Sequence, residues 1–335
     1  MKVFARSCLF ALTVALVSGS VEAGTILFNP NGTGLGGSSP INEFEYSRGN
    51  ALAVGGISAV GNFISNRDFG TNLDTSFELY FQTTIATATI SGNQTTNALP
   101  PNVGQFTVVG AVTETVVDVV GTTATFGIAP QPSTNYFEIW HNTVSTPNML
   151  EGTGFNEGTL ILSGIIGDGG GANAFANISP PLPLVNFDQV SGDPAFAGIQ
   201  TVVGFGSSSF ELELTALWWD PGYFPSLFEF TSFSLTAGAN TPFQQVAPSK
   251  RFLTNTTGLN SSVGFAPVSA GASIGSVGAI NGADGPDFQL EIDATSTFSG
   301  QVVPEPSSIA MLGLFSLGLV FGGARRLNRN RKARA

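Results

Sequence analysis

Phe77-Glu78-Leu79-Tyr80-Phe81-Gln82 sets large apolar side chains against polar ones at close to every second position. A β-strand turns successive side chains to opposite faces, so this alternation predicts a strand with one face in a core. Thr134-Asn135-Tyr136-Phe137-Glu138-Ile139-Trp140 and Phe210-Glu211-Leu212-Glu213-Leu214 read the same way. Outward from these, residues 83–90, 105–120, 158–166, 227–235 and 287–298 are rich in Thr, Val, Ile and Phe, side chains that suit a pleated sheet. Gly, Asn and Pro separate the runs, and no stretch between the two termini shows a helical stripe. The expected fold is all-β: an antiparallel β-sandwich-like body, or a related barrel, in a single domain over residues 24–303.

Composition supports that class. Only 10% of the 335 residues are charged, whereas 42 are Gly and 28 are Phe, a profile of extracellular β proteins and not of helical enzymes. Residues 24–303 hold four cations, Arg48, Arg67, Lys250 and Arg251, against 21 acids, a net charge of −17. Such a body repels polyanions, which excludes nucleic acid and leaves divalent cations or neutral sugars as better partners. The only cysteine, Cys8, precedes an apolar run near the start, so the body has no disulfide.

The two ends read as targeting segments. Residues 1–23 carry Lys2 and Arg6, an apolar run from Cys8 to Val17, and then Val21-Glu22-Ala23, the order of a secretory signal peptide with cleavage between Ala23 and Gly24. Residues 304–335 begin Pro304-Glu305-Pro306, continue as an uncharged run over 309–324, and finish with Arg325, Arg326, Arg329, Arg331, Lys332 and Arg334. Sixteen helical residues span about 24 Å against a hydrocarbon core of about 30 Å, so flanking serines and snorkelling cations complete the crossing. The six cations resist translocation and hold the extreme C-terminus in the cytoplasm, with the body outside. Pro304 and Pro306 keep the segment before the helix extended, ready for a protease groove.

Val303-Pro304-Glu305-Pro306-Ser307-Ser308, the Gly- and Leu-rich helix and the terminal arginine cluster together resemble the PEP-CTERM sorting domain. That resemblance covers about the last tenth of the chain. It implies that the tail is a substrate of exosortase, a membrane-embedded sorting enzyme of bacteria that make exopolysaccharide, with processing around Pro304, Glu305 and Pro306. Three Gly- and Asn-rich segments, residues 28–32, 49–56 and 154–161, resemble parts of PEP-CTERM proteins linked to flocculation. On that resemblance the body contributes to an aggregate or biofilm matrix, with exopolysaccharide or neighbouring surface proteins as partners.

No catalytic constellation emerges from the body. His141 is the only histidine, and with no body cysteine it cannot complete a zinc site; no Gly-x-Ser-x-Gly elbow supplies a nucleophile. Glu211 and Glu213 share a strand face, as a glycosidase pair or as the wet side of an amphipathic strand. Trp218-Trp219-Asp220-Pro221-Gly222-Tyr223-Phe224 offers aromatic faces for sugar stacking or for packing. Asn281-Gly282-Ala283-Asp284-Gly285-Pro286-Asp287, with Glu291 and Asp293, offers oxygen ligands to Ca²⁺ or simply makes a turn; the EF-hand spacing is absent. Gly167-Asp168-Gly169-Gly170-Gly171 lacks the Lys-Ser/Thr ending of a phosphate loop. The expected protein is therefore an exported, non-catalytic cell-surface or matrix component without a required cofactor, and the alternative is a secreted carbohydrate-binding or carbohydrate-active enzyme.

Overall fold

A computed structural model describes residues 25–90, 98–100, 102–129, 135–143, 146–148, 154–167, 173–177, 184–187, 199–226, 230–243 and 277–300. The expected signal segment, its Ala23–Gly24 junction, the whole tail from Pro304 and the glycine run 168–171 lie outside them. Among the described residues no helix is long and apolar enough to cross a membrane.

The chain enters through β1 (Ile26–Phe28), β2 (Ser39–Ile41), β3 (Glu43–Tyr46) and β4 (Gly49–Val54), then forms helix α1 (Gly56–Phe69). It continues through β5 (Ser76–Thr89), β6 (Gln105–Val120), β7 (Thr123–Ile128), β8 (Tyr136–Asn142), β9 (Thr159–Gly167) and β10 (Asn173–Asn177). Then follow β11 (Val185–Asn186), β12 (Gln200–Thr201), β13 (Gly204–Trp219), β14 (Phe230–Thr241), β15 (Ile280–Asn281) and β16 (Phe288–Gly300). The alternating run at 77–82 lies in β5, and the expected strands at 105–120, 158–166 and 287–298 are β6, β9 and β16 to within two residues at either end.

Among the described residues eleven strands form one antiparallel sheet whose pairings return to their start. Five long strands run the height of the sheet: β5 beside β6, and β13, β14 and β16 in succession. Between β16 and β5 the stave is split, with β3 at one end and β4 at the other, each bonded to both neighbours. Between β6 and β13 two split staves complete the circuit: β8 and β9 at the first end, β7 and β10 at the second. The result is an eight-stave closed sheet, not two separately bonded sheets. The antiparallel, mainly β reading stands; its two-layer form is replaced by closure, which removes the exposed edges a sandwich retains. Outside the barrel, β1 pairs with β2, and β11, β12 and β15 make a small sheet.

The inward faces differ along the axis. At the end formed by β3, β8 and β9, Phe28, Phe44, Phe224, Phe233 and Phe298 are at most 1% exposed. Their rings meet edge to face or tilted at 5.0 to 6.4 Å, as in Phe28–Phe44 (5.3 Å), Phe44–Phe298 (5.2 Å) and Phe233–Phe298 (5.0 Å). Lower in the barrel, Gly110 on β6 makes room for the Phe81 ring, which a Cβ there would overlap.

Helix α1 corrects the expectation that no helix interrupts the body. Ile57, Val60 and Ile64 do fall at helical spacing, but Ser58, Gly61, Asn62 and Ser65 are weak helix formers and dilute the stripe. The helix stands because its ends are tied by tertiary contacts. Gly55 and Gly70 take left-handed conformations on either side of it, and the Gly70 N–H donates to the Asn66 carbonyl. The Gly55 N–H donates to Asp287 Oδ1 at 2.7 Å and the Ile57 N–H to the Pro286 carbonyl at 3.0 Å, so the loop before β16 receives the first-turn donors. At the other end Arg67 Nη1 donates to the Val119 carbonyl at 2.9 Å.

Candidate functional site

The sequence-predicted candidates separate in space. His141 faces inward on β8, buried, stacked on Phe106 at a centroid distance of 4.4 Å. Its Nε2 bonds to the Val103 carbonyl, which only accepts, so Nε2 carries the proton and Nδ1 accepts from the Tyr223 hydroxyl at 2.7 Å. Both ring nitrogens are therefore used in holding the aromatic end together. Asp220 begins a tight turn: its Oδ1 accepts from the Gly222 N–H at 2.7 Å, and its carbonyl accepts from the Tyr223 and Phe224 N–H groups. That turn drives Tyr223 and Phe224 into the barrel, while Trp218 and Trp219 are both half-buried, Trp219 against the core and Trp218 on the opposite face. Glu211 is exposed on β13, on the strand edge shared with β9.

The 281–287 loop is used internally. Asn281 is fully buried; its Oδ1 accepts from the Gln289 N–H at 2.8 Å and its Nδ2 donates to the Gln289 carbonyl at 2.8 Å. Asp284 Oδ1 accepts from the Ile280 N–H at 2.8 Å and Asp287 Oδ1 holds the start of α1. Glu291 pairs with Arg48 at 3.1 Å. Among the described residues, no three acids or histidines converge as metal ligands. The segments at 28–32 and 154–161 are likewise architectural. Asn29 Nδ2 donates to the Gly34 and Gly36 carbonyls at 2.6 and 2.8 Å, and the Phe155 carbonyl accepts from Thr107 Oγ1.

Two features were not singled out in the sequence. The first is a hollow at the barrel end formed by β4, β7 and β10, with a volume of about 330 Å³. Small side chains leave the space: Ala53, Ala124, Ala174, Ser208 and Ala239 stand where the opposite end carries phenylalanines. Phe77, Phe126, Phe175 and Phe288 form its walls, and Ile57, Val60 and Ile64 of α1 cover it. Among the described residues one ionisable group reaches this lining, Glu114 on β6, only 3% exposed. Asn173 Nδ2 donates to its Oε1 at 2.6 Å, and Asn173 Oδ1 is fixed in turn by the Ser209 N–H at 2.9 Å. Burial pushes the Glu114 carboxyl up from 4.5 to about 7, with the Asn173 amide opposing the rise. The signal was present in Val112-Thr113-Glu114-Thr115-Val116, where period two places the acid on the valine face.

The second is a transverse row on the outer face, in register from strand to strand: Glu291, Asn50, Gln82, Val109, Glu138 and Ser163. All are buried. Glu138 Oε2 accepts from Trp140 Nε1 at 3.0 Å, and Tyr80 donates to Glu78 beside it. The amide of Asn50 and the hydroxyl of Ser163 have no hydrogen-bond partner among the described residues.

These features belong to the body, whereas the comparison with known families bears on the tail. The model of the PEP-CTERM protein-sorting motif matches residues 302–329. The chain carries a PEP-CTERM sorting motif. The match contains Pro304, Glu305, Pro306, Arg325, Arg326 and Arg329; Arg331, Lys332 and Arg334 follow it. A PEP-CTERM motif implies an exported cell-surface protein processed at the membrane by exosortase. No curated protein and no solved structure matches the chain.

Proposed function

We propose that the protein is a non-catalytic structural component of the cell surface or extracellular matrix, delivered through its PEP-CTERM tail and contributing to cell aggregation, floc or biofilm cohesion. The observation that carries this reading is the sorting motif at 302–329 behind an acidic β body. In it, signal peptidase cuts between Ala23 and Gly24, and exosortase acts around Pro304, Glu305 and Pro306. Arg325, Arg326, Arg329, Arg331, Lys332 and Arg334 hold the 309–324 helix in its orientation until processing. Closure of the sheet supports a durable extracellular part, since a barrel without free edges resists strand addition by neighbours. His141 is held by internal hydrogen bonds to Val103 and Tyr223, and Glu114 by one to Asn173.

Gene deletion scored for floc or biofilm cohesion tests the role, with the surface-released protein analysed by mass spectrometry. Loss of cohesion, together with a released chain lacking both ends, is expected. Unchanged cohesion, or release of a chain from Met1 to Ala335, would refute it. A second reading, carbohydrate binding, draws on Trp218, half-buried on the face of β13 away from the core, because an aromatic face suits the C–H edges of a sugar ring. Saturable retention on an exopolysaccharide column without hydrolysis would favour it, and turnover of the polysaccharide would replace both readings with an enzyme.

A further inference from the structure

An eight-stranded barrel encloses just enough room either for its own side chains or for one small ligand. This barrel does the first at one end and leaves space at the other. The hollow, about 330 Å³, is in the size range of small-molecule sites, with apolar walls and few polar groups. Water is a poor occupant, because a buried water needs two to four polar partners and the described lining residues offer little beyond Glu114, Ser208 and Thr122.

The chemistry of an occupant follows from three facts. The walls are Phe126, Phe175, Phe288 and the α1 side chains Ile57, Val60 and Ile64, which call for a hydrocarbon body. The Glu114 carboxyl is fixed through Oε1 by Asn173, which leaves Oε2 without a protein hydrogen bond among the described residues. The body carries a net charge of −17, and among the described residues no cation lines the hollow, so an anionic head group would be repelled. Burial also keeps Glu114 substantially protonated near neutral pH, which makes it a hydrogen-bond donor to a neutral oxygen. We propose that this end of the barrel binds a small neutral lipophilic molecule carrying one hydroxyl or carbonyl oxygen, its hydrocarbon body under α1 and its oxygen on Glu114. The site is independent of the sorting tail and of any role in cohesion.

The test uses the processed protein recovered from the cell surface, freed of detergent, with the neutral fluorophore N-phenyl-1-naphthylamine as probe. Saturable binding of one probe per chain is expected, displaced by 1-decanol more strongly than by decanoate or decylamine. Because a ligand that binds only the folded state raises its stability, 1-decanol should also raise the thermal midpoint of the unsubstituted protein, a readout that needs no variant. Ala124→Phe and Ile64→Trp fill the hollow from different elements, and each should weaken the probe by about tenfold or more while circular dichroism stays unchanged. Glu114→Leu should keep the probe and lose the preference for 1-decanol over decane. Absence of saturable binding and of a thermal shift, stronger displacement by decanoate or decylamine, or parent-like binding in the folded blocking variants would overturn the proposal.

Discussion

The two ends of the barrel use the same staves and fill them by different means. Where β3, β8 and β9 form the wall, Phe28, Phe44, Phe106, Phe137, Phe224, Phe233 and Phe298, from distant parts of the chain, interlock with His141 and Tyr223. Where β4, β7 and β10 form it, alanines and a serine hold the wall open, and a helix tied by its termini lies across the space. Interlocked rings maximise contact and fix the register of the strands that carry them. The hollow end gives up part of that contact, and it is also where a carboxyl is kept from water. Stability and the capacity to bind are thus placed at opposite ends of one sheet, as expected when binding regions come from the less tightly packed parts of a fold.

The largest test of this contrast is truncation at the filled end. Phe44→Ala should lower unfolding free energy by about 3–5 kcal/mol in urea titrations, whereas Leu79→Ala, whose side chain already borders the hollow, should cost about 2 kcal/mol. Equal losses would mean the ends are packed alike. Next comes pH. The folded-state pKa of Glu114 lies above its value in the unfolded chain, so folding disfavours the charged form. Stability from this group should fall as pH rises from about 4.5 to about 7 and then level off, by at most about 3 kcal/mol. Glu114→Gln should remove that part of the slope, and a parent-like pH profile in the variant would place the carboxyl in water. Enlarging small residues should give a further asymmetry: Gly110→Ala, against the Phe81 ring, should cost about 1–3 kcal/mol, and Ala124→Leu in the hollow should be tolerated by comparison. The smallest effect belongs to Tyr223→Phe, which leaves the His141 Nδ1 acceptor without its donor and should lower stability by about 1 kcal/mol. A thermal midpoint equal to the parent's would show that this hydrogen bond contributes nothing net.

Much of the fold was legible because strand periodicity is a local property. Residues 105–120 are rich enough in Val and Thr to be read as one strand, and the sheet uses them as β6 from end to end. The sorting tail was legible for a similar reason: prolines, an apolar run and arginines in order act through chain stiffness, hydropathy and charge, with no need of a partner in the body. Helix α1 was hidden because its stability comes from Asp287, Pro286 and the Val119 carbonyl, which lie far along the chain. Glu114 was readable as an acid on a valine face, yet nothing local to β6 says that Asn173 lies against it or that α1 covers the space beyond.

The sequence by itself determined most of the long strands, the acidity of the body and the address at its end, since each depends on neighbours along the chain. Only the tertiary structure decided that the sheet closes, that Phe28, Phe44 and Phe298 meet at one end, and that Ala53, Ala174 and Ala239 meet at the other. Those outcomes depend on strand register between residues as far apart as Ala53 and Phe288, and a period of two fixes the face of a side chain without fixing its height along the barrel.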